Sequence, residues 1–307
     1  MDGHIFLTIF FCCGKICHTI YCKERTDMTK TNKIFRIFCI ILAILFFVLE
    51  FLLAPRMMSK PDMSAVEGTY FAHRGYFDNN SSAPENSLAS FELAVEKGFG
   101  IELDIQLSSD GVAMVFHDAD LERVCGVEGK IWDYTAEELS QMKLMGSEET
   151  IPTFEQALAV IDGRAPLLVE YKMDRVDTAV CAAGQALLDE YDGDYVIQAF
   201  DPRALMWYKK NAPQVARGQL AKQYWEEEEY KGEALYVVLG NLLTNVATRP
   251  DFVSYEFSDK NNRAFKLYDL LGGKTACWTL RSEEDYAQVK GKFDMYIFDS
   301  FDISEQW

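Results

Sequence analysis

The sequence predicts an α/β protein, a TIM (β/α)8 barrel preceded by an N-terminal transmembrane helix, and three observations carry that prediction. Short apolar runs alternate with amphipathic stretches along residues 69–307, the pattern of a largely parallel sheet joined by crossover helices. Polar and titratable residues, namely His73, Glu102, Asp104, His117, Glu170 and Lys172, fall in or at the ends of consecutive strand candidates, where a barrel collects them round one mouth. Ahead of this body, residues 37–54 read IFCIILAILFFVLEFLLA, an apolar run long enough to cross a bilayer, with Glu50 its single charge.

Residues 1–36 come first. Lys23, Arg25, Lys30, Lys33 and Arg36 precede the apolar run, whereas only Arg56 and Lys60 follow it closely, so the positive-inside rule places residues 1–36 in the cytoplasm and the body outside. A cleaved signal peptide is the alternative; the run is longer than the usual apolar core of such a peptide and lacks a clear small-x-small site. The stretch Ile5–Cys13 is apolar but too short to span, and Met28 offers a second start position. Cys12, Cys13, Cys17, Cys22 and His18 match no common zinc spacing and are as readily acylated or structural. Only Cys125, Cys181 and Cys277 lie in the body, too few and too far apart for a disulfide framework. Residues 55–68, with Pro, Ser, Lys and Met and no period, read as a linker into a barrel domain at 69–307.

Within the body the strand candidates are 70–73, 100–107, 112–117, 166–171, 195–200, 216–220, 252–257, 275–280 and 295–299. Helical apolar spacing marks 87–96, 154–161, 203–210 and 282–289. Thr135 with Glu138 and Thr153 with Gln156 form capping boxes, and Asp201-Pro202 reads as an N-cap followed by proline at the first helical position. Gly98, Gly163 and Gly291 close three of the helices. Nine strands are one more than the barrel needs, and Ser108-Ser109-Asp110-Gly111 leaves no room for a helix between two of them. An open doubly wound sheet explains the alternation nearly as well; the placement of the polar residues favours the barrel.

Composition excludes several classes. A hydrophobic content of 49% against 25% charged is that of a globular chain, not a disordered one. The net charge is −18, and residues 1–60 hold eight Lys/Arg against four Asp/Glu, which leaves about −22 on the rest. So acidic a body suits no nucleic-acid backbone and is repelled by anionic lipid, so a phosphate-bearing ligand requires a local positive site.

Residues two apart on a strand face the same side, so Glu102 and Asp104 project together, as do Glu170 and Lys172. Charges inside apolar strands are costly unless paired or bound to a cation. Either a Lys172–carboxylate salt bridge or a hard-cation site from three converging carboxylates satisfies this, and oxygen ligands favour Mg²⁺ or Ca²⁺ over zinc. The body holds only two histidines. His73 precedes Arg74, which can grip phosphate, and Gly75, which lets backbone approach a ligand. His117 precedes Asp118, which can orient an imidazole or cap the next segment. Two groups that titrate near neutrality suit a reaction that removes one proton and supplies another. Glu226 to Glu229 reads as a solvated helix face, with Tyr224, Trp225 and Tyr230 available as an aromatic rim for a cationic head group.

The ordered strings His73-Arg74-Gly75, Pro84-Glu85-Asn86-Ser87, Glu102-Leu103-Asp104, Asp110-Gly111, His117-Asp118, Leu121-Glu122-Arg123, Ile151-Pro152-Thr153, Glu170-Tyr171-Lys172, Gln198-Ala199-Phe200-Asp201 and Trp278-Thr279 resemble the glycerophosphodiester phosphodiesterase family. The resemblance runs from about Tyr70 to Asp299. It implies a TIM-barrel hydrolase that cleaves glycerophosphodiesters to glycerol 3-phosphate and an alcohol with one divalent cation, Ca²⁺ or Mg²⁺. By the same resemblance, His73 and His117 are the acid/base pair and Arg74 the phosphate clamp. Glu102, Asp104 and Glu170 are the metal ligands, Lys172 a second phosphate contact and Trp278 a wall of the pocket. Glu85 and Asn86 support the metal or the catalytic loop. Two departures stand out. Phe298-Asp299-Ser300 replaces a Thr-Asp pair after the last strand, and Ala199 stands where serine is common; both bear on the pocket rather than on the acid, base or ligands. Water or the substrate's own glycerol 2-hydroxyl can serve as nucleophile. Alternatives on the same barrel are a lysophospholipase D, a phosphoinositide-type phospholipase, a hydrolase of teichoic-acid-like polymers, or a catalytically inactive polyol-phosphate binder.

Overall fold

A computed structural model of the chain describes residues 30–173, 178–299, 301 and 303. The expectations concerning Ile5–Cys13, the early cysteines with His18, and Met28 lie outside the described residues, as does Ser300. The chain divides into two compact units, Met1–Val48 and Leu49–Trp307. The helix Lys30–Leu53 carries the apolar run. Its stretch Asn32–Leu53 has mean hydropathy 2.7 and is long and apolar enough to cross a membrane, a property shared by membrane spans and signal sequences. Its large apolar side chains from Ile34 to Leu49 are exposed.

Nine strands follow: β1 (Tyr70–Ala72), β2 (Gly100–Leu107), β3 (Ala113–Val115), β4 (Leu167–Tyr171), β5 (Tyr195–Ala199), β6 (Arg217–Ala221), β7 (Phe252–Glu256), β8 (Lys274–Leu280) and β9 (Met295–Phe298). Eight of them pair in parallel in the order β1-β9-β8-β7-β6-β5-β4-β2, and β1 pairs with β2 to close the barrel. The surplus strand is β3. It pairs antiparallel with the upper half of β2, Ile105 opposite Val115 and Leu107 opposite Ala113, on the edge that short β1 leaves open. The open-sheet alternative is thereby excluded.

Helix starts follow their local chemistry. Both capping boxes form, with the Thr135 and Thr153 hydroxyls accepting from the Glu138 and Gln156 amides and those two side chains accepting from the cap amides. Asp201 caps Pro202–Asn211, with proline at the first turn. Ser87 caps Leu88–Glu96, and Ser282 caps Glu283–Val289.

The period of two along each strand sorts the barrel into two zones. Ile101, Leu103 and Ile105 of β2, Val169 and Tyr171 of β4, and Ile197 of β5 point outward into a core with Phe91, Phe154 and Leu188 from the surrounding helices. Inward, Phe71, Leu168, Val196, Phe252, Ala276, Met295 and Ile297 fill the lower barrel. Met63 and Val66 belong to this inner cluster, so two residues of the segment that composition suggested to be a linker pack into the barrel floor. Such filling demands close approach: a Cβ on Gly218 would lie 2.1 Å from the Phe252 ring, which is why β6 carries glycine there.

Candidate active site

Two residues above the last inward floor residue of most strands, on the same face, stands a polar one. Phe71 is followed by His73, Leu168 by Glu170, Val196 by Gln198, Ala276 by Trp278, and Ile297 by Asp299. Gly100 is followed by Glu102 and Asp104. The C-terminal strand ends therefore converge on a cavity of about 110 Å³ lined by His73, Arg74, Glu102, His117, Glu170, Lys172 and Trp278, together with Gln198, Phe200, Thr279 and Arg281.

Glu102, Asp104 and Glu170 are buried, and one carboxylate oxygen of each lies within 4.8 Å of the others. Lys172 Nζ sits 3.0 Å from Asp104 Oδ1 and 2.5 Å from Glu170 Oε1. The Arg74 amide donates to Glu102 Oε2 at 3.0 Å, and Asn86 Nδ2 donates to Asp104 Oδ2 at 2.9 Å. Burial, reinforced by Asp104 and Glu170, drives the Glu102 carboxyl well above the ordinary range. Burial also acts against the Asp104 charge, yet Lys172, His117 and Arg74 outweigh it and hold that carboxyl well below the usual value. The ammonium of Lys172 is likewise opposed by burial and held charged by Asp104 and Glu170. Glu102 Oε1 and Asn86 Oδ1 are buried acceptors with no hydrogen-bond donor among the described residues. Three crowded carboxylates with a spare amide oxygen fit a hard divalent cation.

Each imidazole has its own carboxylate. His73 Nδ1 is 2.6 Å from Asp299 Oδ1, and His117 Nδ1 is 2.6 Å from Asp118 Oδ1. Burial tends to raise both aspartates, but their histidine partners, with Arg281 behind Asp299 and Arg123 behind Asp118, keep both below the usual range. An ionised carboxylate only accepts, so Nδ1 carries the hydrogen in each pair and Nε2 is left to exchange protons. Burial, and secondarily Arg74, depresses the His73 pKa, although Asp299 opposes the shift.

Arg74 is more committed than a free clamp. Its Nη1 donates to Glu85 Oε1 at 2.7 Å, and its Nε lies 3.8 Å from Asp104 Oδ2. Glu85 also accepts from Asn79 and from both terminal nitrogens of Arg123. Burial would raise Glu85, but Arg123, Arg74 and Asn79 pull it down to about 2. Glu85 thus holds two guanidinium groups and does not line the cavity. Gly75 serves packing: its φ is +82°, and a Cβ would lie 2.3 Å from Ser90 Oγ on the helix Leu88–Glu96. Trp278 is a wall, its ring edge-on to Phe200 at 5.4 Å and its Nε1 donating to Ser254 O at 3.1 Å.

The sequence profile of the Glycerophosphoryl diester phosphodiesterase family matches residues 73–303. The chain belongs to this family. A glycerophosphodiester phosphodiesterase of Bacillus altitudinis is 39% identical over 110 residues, 34% of this chain and 44% of that protein. One from Caldanaerobacter subterraneus subsp. tengcongensis is 32% identical over 163 residues, 48% of this chain and 65% of that protein. The alignments thus span less than two thirds of either relative. An Oleispira antarctica phosphodiesterase, solved in complex with the product sn-glycerol-3-phosphate, superposes with a TM-score of 0.62 at 26% identity, covering 76% of this chain and 94% of that one.

Family motifs brought His73, Arg74, Glu102, Asp104, His117, Glu170, Lys172 and Trp278 together as expected, with Asn86 beside them. They did not reveal the work of Asp299, Arg123 or Arg281. Asp299 had a signal, since it is the first polar residue after the apolar run of β9. Arg123 stands in the string Leu121-Glu122-Arg123, but its pairing with Glu85, 38 residues away, has no local signature. The aromatic rim is also corrected. Lys222 Nζ sits 5.7 Å from the Tyr224 and Tyr230 ring centres, so the chain's own ammonium faces them. The four-Glu run is not a helix face; it lies on two short 3-10 turns, Tyr224–Glu226 and Glu228–Tyr230.

Proposed function

We propose that this chain hydrolyses glycerophosphodiesters to glycerol 3-phosphate and an alcohol at the cavity bounded by His73, His117 and the three carboxylates. The observation that carries the reading is the pairing of two carboxylate-held imidazoles with a buried carboxylate triad on one small cavity. Glu102, Asp104 and Glu170 would hold a divalent cation, Ca²⁺ or Mg²⁺, which when bound supplies charge neutralisation at phosphate oxygens. Lys172 and Arg74 present positive charge to the same anion. One imidazole takes the proton of the attacking hydroxyl at Nε2 while the other delivers a proton to the leaving alkoxide; Asp118 and Asp299 fix which nitrogen is available. Trp278 and Phe200 form an aromatic wall of the same cavity.

The charged and polar lining of the cavity suits a compact polar head better than an acyl chain, which supports the water-soluble diester over a lysolipid. An inactive polyol-phosphate binder would have no use for two imidazoles held as proton carriers. As for placement, we propose that the apolar helix is a membrane anchor with residues 1–36 cytoplasmic and the barrel outside, on the bias of Lys and Arg around it.

The decisive test is turnover of glycerophosphocholine and of a lysophosphatidylcholine by the detergent-solubilised chain, with Ca²⁺, with Mg²⁺ and with chelator. Chelator-sensitive cleavage of the soluble diester is expected. Preference for the lysolipid would transfer the function to lipid remodelling, and cleavage of neither by folded, metal-loaded protein would overturn the hydrolase reading.

A further inference from the structure

A second cavity of the Leu49–Trp307 unit lies at the opposite end of the barrel from the catalytic mouth. It measures about 430 Å³ and is bounded by Arg217 at the start of β6, Lys209 and Pro213 before that strand, Arg249 before β7, and the segment from Phe51 to Met58. Its walls are largely carbon, from Phe51, Ala54, Pro55, Met57 and Met58, yet four cations border it: Arg56, Lys209, Arg217 and Arg249. In a body carrying about −22, such a grouping is anomalous.

These charges are poorly neutralised. Among the described residues Asp251 is the carboxylate within ion-pair reach of any of the four, 3.7 Å from Arg56 Nη1 and 3.8 Å from Arg217 Nη1. Backbone carbonyls do the rest of the holding. Lys209 Nζ donates to Ala247 O, Arg217 donates to Thr248 O and Arg249 O, and Arg249 Nη1 donates to Phe51 O and Ala54 O. Arg217 is 2% exposed, and its Nη1 has no hydrogen-bond partner among the described residues. Burial, then repulsion from Arg217 and Arg249, pushes the Lys209 pKa down, and burial does the same at Arg217 and Arg249. A cluster of cations that weaken one another is one that an added anion stabilises.

The chain itself indicates where that anion comes from. Phe51 lies in the last turn of the helix that carries the long apolar run, and Met57 and Met58, 53% and 81% exposed, follow the run within a few residues. Apolar side chains directly beside a candidate span, interleaved with Arg and Lys, match the depth at which phospholipid phosphates lie. We propose that this basic cavity at the barrel base binds the phosphate head group of an anionic membrane phospholipid, with Phe51, Met57 and Met58 against its glycerol and upper acyl carbons. The site would anchor an acidic body that an anionic leaflet otherwise repels, and it keeps the catalytic mouth, at the other end of the strands, turned toward soluble substrate.

The full chain in neutral dodecyl maltoside micelles, followed by native mass spectrometry, tests this. Dioleoylphosphatidylglycerol, dioleoylphosphatidylcholine and inorganic phosphate are added separately. Retention of phosphatidylglycerol well above phosphatidylcholine is expected, falling about fivefold for each unit of positive charge removed in Arg249→Gln and Lys209→Glu. Glycerophosphodiester turnover should not change in Lys209→Glu, whose side chain is exposed and far from the mouth. Met58→Asp, at an exposed position where folding is insensitive, should also weaken lipid retention. Equal retention of the two lipids, or retention untouched by all three variants, overturns the proposal. So does inorganic phosphate bound as tightly as phosphatidylglycerol and lost in the same variants, which would make this a free-phosphate site.

Discussion

Asp299 Oδ1 lies 2.6 Å from His73 Nδ1 although 226 residues separate them, and Arg281 Nε lies 3.3 Å from the other Asp299 oxygen. The closure of the barrel between β1 and β9 creates this contact. Asp299→Asn should therefore lower kcat by about 10–100-fold with little change in KM, since it leaves substrate groups intact but frees the imidazole to rotate and change tautomer. Because Asp299 sustains the His73 pKa against burial, the limb of the pH–rate profile that reports His73 should also move to lower pH, the acid limb where His73 is the base and the alkaline limb where it is the acid. Two unaltered limbs would assign Asp299 to structure alone.

His117→Ala removes the second imidazole at a partly exposed position, its side chain 31% accessible. Turnover should fall by about 10²–10⁴-fold while the circular dichroism spectrum and Tm stay near those of the parent. Near-normal turnover would eliminate the two-histidine mechanism.

Glu102→Gln replaces a carboxylate whose Oε1 has no donor among the described residues. Divalent-cation affinity, read by calorimetric titration, should weaken by roughly tenfold or more because a ligand charge is lost. The thermal stabilisation given by saturating cation should shrink accordingly. An unchanged titration would place the cation elsewhere.

Acid should unlock the Arg74–Glu85–Arg123 cluster. The folded pKa of Glu85 is about 2 against an ordinary value of 4.5. Since the folded value is depressed, the associated stability is fully present above 4.5 and is lost as pH falls toward 2. The contribution is on the order of 3 kcal/mol at neutral pH. Urea midpoints measured from pH 6 to 3 should fall less steeply in Glu85→Gln than in the parent, while that variant starts from lower stability.

Gly218→Ala should cost about 1–3 kcal/mol, because its Cβ would overlap the Phe252 ring inside the barrel floor. Phe252→Leu in the same chain should restore part of the loss, and a double-mutant cycle on Tm measures the coupling. Strict additivity would mean that the Phe252 ring is not what opposes the added Cβ.

The sequence by itself determined the strands, the helices Leu88–Glu96, Phe154–Ile161, Pro202–Asn211 and Glu283–Val289, and which residues sit at the strand ends, because those depend on local periodicity and short spacing; the helices Ala179–Leu188 and Arg263–Leu270 were not read from it. All nine strands, both capping boxes and the Asp201-Pro202 helix start lie within a residue or two of where the chain's own pattern puts them. Alternation by two sufficed to put Glu102 beside Asp104 and Glu170 above Leu168. Tertiary structure decided what depends on distant partners. It made β3 an accessory hairpin, because short β1 leaves an edge of β2 unpaired. It drew Met63 and Val66 out of the segment 55–68 into the barrel floor, because they join a cluster of apolar side chains from six strands that no local window contains. It gave Asp299 to His73, gave Arg123 to Glu85, and gathered Arg56, Lys209, Arg217 and Arg249 at one end of an acidic protein. Side-chain pairing across a closed barrel is fixed by which strands become neighbours, and that is a property of closure, which no short stretch of sequence encodes.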